Sequence, residues 1–370
     1  MQLTPFRATY PLLDEVESPK DFFSNVKQDY RKYYASGLFG RFGRPGLYIY
    51  SIRKASHVYT GVMGGVAVED FLEGRIRKHE HTIAEKEAKQ LQLLKSRQAA
   101  VKPVLLAHEP VPELQAWLER YTQACQPVLA VPFEDKEEEH LIWAVEEPEH
   151  IHWLQGIFRQ QVPVSYIADG HHRTFTAVEM YQRMKNGEEK EVYSSFFAAF
   201  FPFQHIEIFD FNRVVSSLNG HSPATFVAHL SHWFEVAVLQ APSRPSRKFE
   251  VTMLLQGQWY LLRWKERVLL EYADKEVLLD AMLLNHKIMA GLLGIEDVRN
   301  DKRIYYVEGP KGVKGVAKQV EKHEEAVAFC LYPVQMQEVM KIADLGKVLP
   351  PKSTWFEPRM KNGLLVQAYH

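Results

Sequence analysis

Residues 164–187 read VSYIADGHHRTFTAVEMYQRMKNG. The run VSYIAD has strand composition, and Gly170 interrupts it. Beyond the glycine, Thr174, Ala177, Val178 and Tyr181 recur at helical spacing, and Asn186-Gly187 supplies a stop. The spacing therefore predicts a strand that hands the chain to a helix start. Such a start gathers unpaired N–H groups and the positive end of the helix dipole.

Working outward, a helix is expected over Asp21–Tyr34, followed by a hairpin of Gly46–Ile52 with His57–Val68. The charged segment 75–100 contains Thr82 and Glu85 at capping-box spacing and a Glu85–Lys89 pair, so a second helix is placed from Thr82. Residues 101–109 and 140–147 are strand candidates, and Pro148–Gln160 reads as helix. FFAAFFPF, residues 196–203, reads as a buried strand, because it is far shorter than the roughly 18 residues a membrane helix needs. A helix near Ala224–Trp233 leads to APSRPSR, residues 241–247, the best linker or loop candidate. A second hairpin (248–255 with 259–265), a long helix (277–294), a strand (303–309), a Gly/Lys loop, a strand (326–333) and a last helix (334–346) follow. This irregular alternation indicates an α+β protein, divided as 1–215 and 216–370.

Composition excludes more than it proposes. With 370 residues, 46% apolar and 25% charged, the chain is long enough for a substantial core and too apolar for general disorder. Forty-five basic residues against 46 acidic ones leave a net charge of −1, which gives no global attraction to nucleic acid or anionic lipid. Cys125 and Cys330 are the two cysteines, too few for a disulfide framework, and suit a reducing cytoplasm. The start lacks the charged-then-apolar pattern of a signal peptide. A soluble, cytoplasmic protein is expected.

Three stretches carry candidate chemistry. In ADGHHRTF, residues 168–175, Gly170 lets backbone approach an anion. Arg173 offers a bidentate grip on phosphate, and His171 and His172 add donors or a titratable group. Asp169 is open to three roles: holding a metal, orienting a histidine, or capping the helix. The plainer reading has Asp169 cap, Gly170 turn and Arg173 pair with a carboxylate. In RIRKHEHT, residues 75–82, His79, Glu80 and Thr82 precede a helix, so Glu80 is a candidate general base, or the stretch is a solvated helix entry. In PPKSTWFEP, residues 350–358, Lys352, Ser353 and Thr354 are three donors suited to phosphate, or an exposed lysine beside a turn. There is no GxxxxGK[ST], GxGxxG, G-x-S-x-G or H-E-x-x-H motif.

Taken together, ADGHHRTFTAVEMY, RKHEHT and PPKSTWFEPRMKNGLL resemble the domain of unknown function 1015 family, in the expected order and over most of the chain. That family is similar to ADP-dependent free serine kinase, with a ParB/sulfiredoxin-like fold. The resemblance implies that a ParB/sulfiredoxin-like mixed-sheet core binds nucleotide phosphates through Gly170, His171, His172, Arg173 and Thr174. A C-terminal α/β portion would bring Lys352, Ser353 and Thr354. It implies ADP or ATP as co-substrate, Mg²⁺ alongside, and a phosphoryl acceptor such as the hydroxyl of serine. Glu80, Asp169 and His172 are the catalytic candidates, and His79, Thr82 and Arg213 the supporting or substrate-facing ones. Two departures stand out. The family's V-x-P-P-Y-D-V stretch is replaced by ATYPLLDEVESPKDFF, leaving Glu15, Glu17 and Asp21 as candidates for its acid, and Asn212-Arg213 stands where relatives carry His-Arg. A non-catalytic nucleotide-responsive protein is the alternative, and a His-dependent metal hydrolase ranks behind it.

Overall fold

The computed structural model describes residues 1–81, 84–133, 137–184 and 188–369. The chain forms two compact units, Met1–Glu207 with Pro358–His370, and Ile208–Glu357. Both are mixed α+β.

The first unit is built on nine strands: β1 (Leu3–Thr4), β2 (Leu47–Lys54), β3 (His57–Ala67), β4 (Ile76–Arg77), β5 (Val104–His108), β6 (Leu129–Phe133), β7 (Glu138–Val145), β8 (Ser165–Asp169) and β9 (Ser195–Pro202). Their order is β4-β8-β5-β9-β3-β2-β7-β6, with β1 also on β3. The β8–β4 and β9–β5 pairs are parallel and the others antiparallel. The expected hairpin is β2–β3, with Lys54 opposite His57. Strand β9, SFFAAFFP, lies mid-sheet, and Phe196–Phe201 are buried. A continuous apolar run, in place of alternation, is what a strand covered on both faces requires. At Gly61 a Cβ would sit 2.2 Å from the Phe200 carbonyl oxygen, so β3 can approach β9 only without a side chain there.

Helix α1 (Pro19–Ala35) begins on Ser18, whose hydroxyl accepts from the Asp21 N–H, and it buries Phe22, Phe23, Val26 and Tyr30. Helix α2 spans Ala84–Arg97. The expected capping residue Thr82 lies outside the described residues. Helix α3 (His171–Arg183) follows β8 directly, as its sequence predicts. From the far end of the chain, residues 358–369 return to this unit. The Gly363 N–H donates to the Val101 carbonyl at 2.7 Å, and Gln367–Ala368 pairs with Ala99–Ala100.

The second unit holds a six-stranded sheet of β10 (Phe211–Val215), β11 (Phe234–Leu239), β12 (Glu250–Leu255), β13 (Gln258–Trp264), β14 (Ile304–Glu308) and β15 (Val327–Leu331), in the order β11-β13-β12-β15-β10-β14. Neighbouring residues of one strand enter different cores: Val327 and Phe329 join one, Ala328 and Cys330 the other. Both faces are therefore covered.

Two sequence expectations change. The helix expected over 277–294 is α-helical only at Asp280–Leu283 and then widens to a π-type turn over Leu284–Ala290. The Gly/Lys loop after β14 contains a helix, α4 (Gly312–Val320), because Val316 finds a fully buried place under the sheet and packing overrides two glycines. The stretch 241–247 is the loop its sequence allows, a connection inside the second unit between β11 and β12. Among the described residues no helix is long and apolar enough to cross a membrane.

Candidate functional site

The turn between β8 and α3 is shaped by one glycine. Gly170 adopts φ +112°, a conformation that L side chains rarely take, and its carbonyl accepts the Thr174 N–H at 2.9 Å. The N-cap position is Gly170, which has no side chain to cap the helix, so Asp169 does not occupy the capping position. The start of α3 thus carries backbone donors and the positive end of the helix dipole, with a residue at the N-cap that has no side chain of its own. A Cβ on Gly170 would lie 2.8 Å from Arg173 Nη2, because the guanidinium folds back over the turn.

What Asp169 does is gather cations. Arg173 Nη2 donates to its Oδ2 at 2.9 Å, Lys102 Nζ lies 3.3 Å from Oδ2, and Arg359 Nη1 lies 3.6 Å from Oδ1. Burial alone would raise this carboxyl, but Arg173, Lys102 and Arg359 outweigh burial and hold it far below the ordinary carboxylate range. Arg173 also donates to the Pro103 carbonyl at 3.2 Å. Desolvation, with help from Arg173 and Arg359, brings Lys102 down to about 8 against the pull of Asp169.

On the other side of the turn sits a histidine pair. His79 and His171 are both buried, their rings edge to face with centres 4.6 Å apart. The His79 backbone N–H donates to His171 Nε2 at 3.4 Å, which assigns the ring proton to Nδ1. That nitrogen lies 3.6 Å from Glu80 Oε2, and the Glu80 side chain is 54% exposed. Burial pulls His79 down to about 4 and His171 well below its ordinary value, His79 adding to the effect on the latter, so both rings are neutral at pH 7. His172 is half-buried, and its carbonyl accepts from Thr176 Oγ1 at 2.8 Å. Thr174 is buried, with Oγ1 3.2 Å from the Gly170 carbonyl.

The structure therefore brings His79, Glu80, Asp169, Gly170, His171, His172, Arg173 and Thr174 to one turn. Lys352, Ser353, Thr354 and Arg213 belong to the second unit. There the fully buried Arg213 donates to the Phe211 carbonyl at 2.7 Å and the Lys352 carbonyl at 3.3 Å, beside the Tyr306 ring. Lys352 is exposed at φ +55°, its ammonium 4.8 Å from the Phe211 ring centre. Ser353 donates to the Pro350 carbonyl at 2.8 Å, and Thr354 is half-buried. Glu15, Glu17 and Asp21 are exposed before and at the start of α1.

Sequence reasoning missed Lys102 and Arg359. Arg359 lies within PPKSTWFEPRMKNGLL, yet its meeting with Asp169 depends on a tail 190 residues away returning to the first unit, which no local pattern announces. As a magnesium site the turn fits poorly: Asp169 is already taken by three cations, and no group of three His, Cys, Asp or Glu suited to a metal occurs among the described residues.

The fold and site together define an α+β protein whose mixed-sheet unit has a glycine-started helix flanked by cations. The chain belongs to the family described as a protein of unknown function, DUF1015, whose model matches residues 7–290. No curated protein matches it. Similar solved structures include free serine kinase in complex with AMP, 11% identical, covering 82% of this chain and 92% of that one with a TM-score of 0.37. A C-terminally truncated SbnI from Staphylococcus aureus is 11% identical, covering 81% and 85% with a TM-score of 0.41. A conserved hypothetical protein from Pyrococcus furiosus is 13% identical, covering 82% and 95% with a TM-score of 0.36.

Proposed function

We propose that this is a cytoplasmic, nucleotide-dependent phosphotransferase acting on a small alcohol, with a ParB/sulfiredoxin-like first unit. The observation that carries the reading is the start of α3 at a positive-φ glycine, with Arg173 fixed beside it. Nucleotide phosphates would rest on the N–H groups of residues 171–173 and on Arg173, with His172 alongside. Phosphoryl transfer demands charge neutralisation and alignment more than covalent chemistry, and this turn is rich in both cations and fixed dipoles.

In the reaction, the acceptor oxygen bonds to the terminal phosphorus as the bond to the bridging oxygen breaks. The nucleotide leaves one phosphate shorter. The hydroxyl proton passes to Glu80, the exposed carboxylate at the turn, while His171 orients it through Nδ1. Asp169 acts as a positioning residue, since a carboxylate so strongly stabilised as an anion is a weak base. Lys352, Ser353 and Thr354 are kept as phosphate donors on the second unit, to be tested separately by Lys352→Ala.

The test mixes protein, Mg²⁺, ADP or ATP and a panel of hydroxyl amino acids, and measures nucleotide consumption and phosphorylated product. Turnover that falls about 100-fold or more in Glu80→Gln supports the reading. No consumption with any acceptor rejects it. Binding without turnover is the second reading, favoured by the way Asp169 is held as a counter-ion. Nucleotide affinity lost in Arg173→Ala, without product in the wild type, would select it.

A further inference from the structure

Beside the turn, on the face of α3 that carries Arg173 and Thr176, lies a cavity of about 220 Å³. Helix α1 brings Lys27 to its wall, the end of α2 brings Arg97, the start of β5 is preceded by Lys102, and the returning tail brings Asn362. Four of these lining residues are cations and none is a carboxylate. Asp169, just outside, pairs with Arg173 and Lys102 but is also claimed by Arg359.

The like charges are not otherwise resolved. Lys27 is exposed and makes no ion pair among the described residues. Arg97 is buried and spends its donors on two carbonyls, those of Leu93 and Lys27. Arg173 Nε is buried with no hydrogen-bond partner among the described residues. Partial desolvation of the exposed Lys27 and burial of Arg97 weaken their protonation, and Arg173 adds its repulsion to both. Cations brought together at a cost, around empty polar space, are arranged for something that is not protein.

We infer that this cavity is an anion site, separate from the backbone donors at the start of α3, that takes the phosphate group of a small phosphorylated molecule. The volume falls below the 300–1,000 Å³ or so of pockets that enclose a whole drug-sized ligand. A phosphate or diphosphate group fits its scale, with Asn362 and Thr176 as the polar neighbours. Four cations call for a ligand bearing at least two negative charges. The site shares Arg173 with the proposed nucleotide anchor, and it stands whether or not phosphoryl transfer occurs.

The test is titration calorimetry and thermal unfolding with orthophosphate, pyrophosphate, AMP and ADP at constant ionic strength, with chloride as reference. Lys27→Gln is the informative variant, because Lys27 is exposed and its loss leaves the core intact. Orthophosphate or pyrophosphate should raise Tm above the chloride reference. Lys27→Gln should weaken that binding about tenfold, the loss of one charge-assisted contact, without lowering the Tm of the phosphate-free protein. ADP that displaces orthophosphate assigns the site to the nucleotide's own phosphates, whereas simultaneous binding assigns it to a second phosphorylated molecule, and either result sustains the site. No phosphate effect beyond chloride, or unchanged affinity in Lys27→Gln, overturns it. Phosphate binding that persists in a protein without kinase turnover rejects the proposed activity and leaves the cavity assignment standing.

Discussion

Replacing Asp169 by asparagine removes one negative charge from among Arg173, Lys102 and Arg359 while keeping the side chain's shape. At an effective dielectric near 20, a unit charge pair at about 4 Å attracts by roughly 4 kcal/mol before desolvation is counted. Removing one partner from a buried ion cluster costs roughly 3–5 kcal/mol, because the remaining charges stay buried unpaired. Here the Asp169 and Arg173 side chains are each 27% exposed, so the lower part of that range applies. The expected loss is about 3 kcal/mol, or a Tm lower by about 6–12 °C for a unit of this size. The carboxyl is depressed in the folded state, so its contribution is complete above the unfolded value of about 3.9 and is lost as pH falls below it. The wild-type advantage should therefore be full at pH 7, shrink below pH 4, and narrow in high salt. Phosphate should recover more Tm in Asp169→Asn than in wild type, since it replaces the missing anion. Thermal and urea unfolding at pH 7 and pH 3, with and without phosphate, supply the comparison. An asparagine variant within about 0.5 kcal/mol of wild type at pH 7 and low salt would refute this account of the cluster.

Other perturbations separate the parts of the site. Gly170→Ala forces an alanine to φ +112° and displaces the Arg173 guanidinium, so stability should fall by about 1–2 kcal/mol and nucleotide binding with it; unchanged binding would show that the turn does not hold the nucleotide. His79 is neutral in the fold with a value of about 4, so its stabilising share is present above the unfolded value of about 6.5 and declines as pH drops toward 4; His79→Phe should flatten that part of the stability curve, and an unaltered slope would contradict it. Lys102 runs the opposite way in charge: lowered to about 8, it costs stability while protonated, and that cost fades as pH rises from 8 to about 10.5. Lys102→Met should remove this alkaline gain of up to about 3 kcal/mol, and phosphate affinity in the wild type should weaken over the same interval.

Strand–helix order, the β2–β3 and β12–β13 hairpins and the β8–α3 turn were legible because each is governed by local pattern: period, turn residues and one special glycine. The two misread segments had a different cause. In 277–294 the apolar spacing was helical, but hydrogen bonding widened to a π-type turn that periodicity does not distinguish from an α-helix. In 309–320 glycines argued for a loop, and burial of Val316 decided otherwise. At the site, Gly170 and Arg173 declared themselves through spacing, whereas Lys27, Arg97 and Lys102 sit in sequence beside nothing that marks them, and nothing in the stretch around Arg359 announces Asp169 as its partner. They matter only because α1, the end of α2, the entry to β5 and the returning tail converge.

That convergence explains how a chain with a net charge of −1 can still favour an anion. Screening limits exposed charges to a range of about 8 Å at physiological salt, so the total over 370 residues says little about one cavity. Within the cavity the sum that counts is four cations against Asp169, itself shared with Arg359. A long polyanion is drawn by an extended basic surface, and a balanced chain offers no global pull of that kind. A single phosphate group needs only a local excess on rigid elements, and here helix ends and a strand entry supply it. The tail's Arg359 and Asn362 then have a consequence of their own. Because they come from residues after the second unit, any truncation that removes residues 358–370 should release Asp169 from Arg359, open the cavity wall at Asn362 and weaken phosphate binding even where the first unit still folds. A truncated first unit that is folded by circular dichroism and binds orthophosphate as tightly as the full chain would show that the tail closes the fold without serving the site.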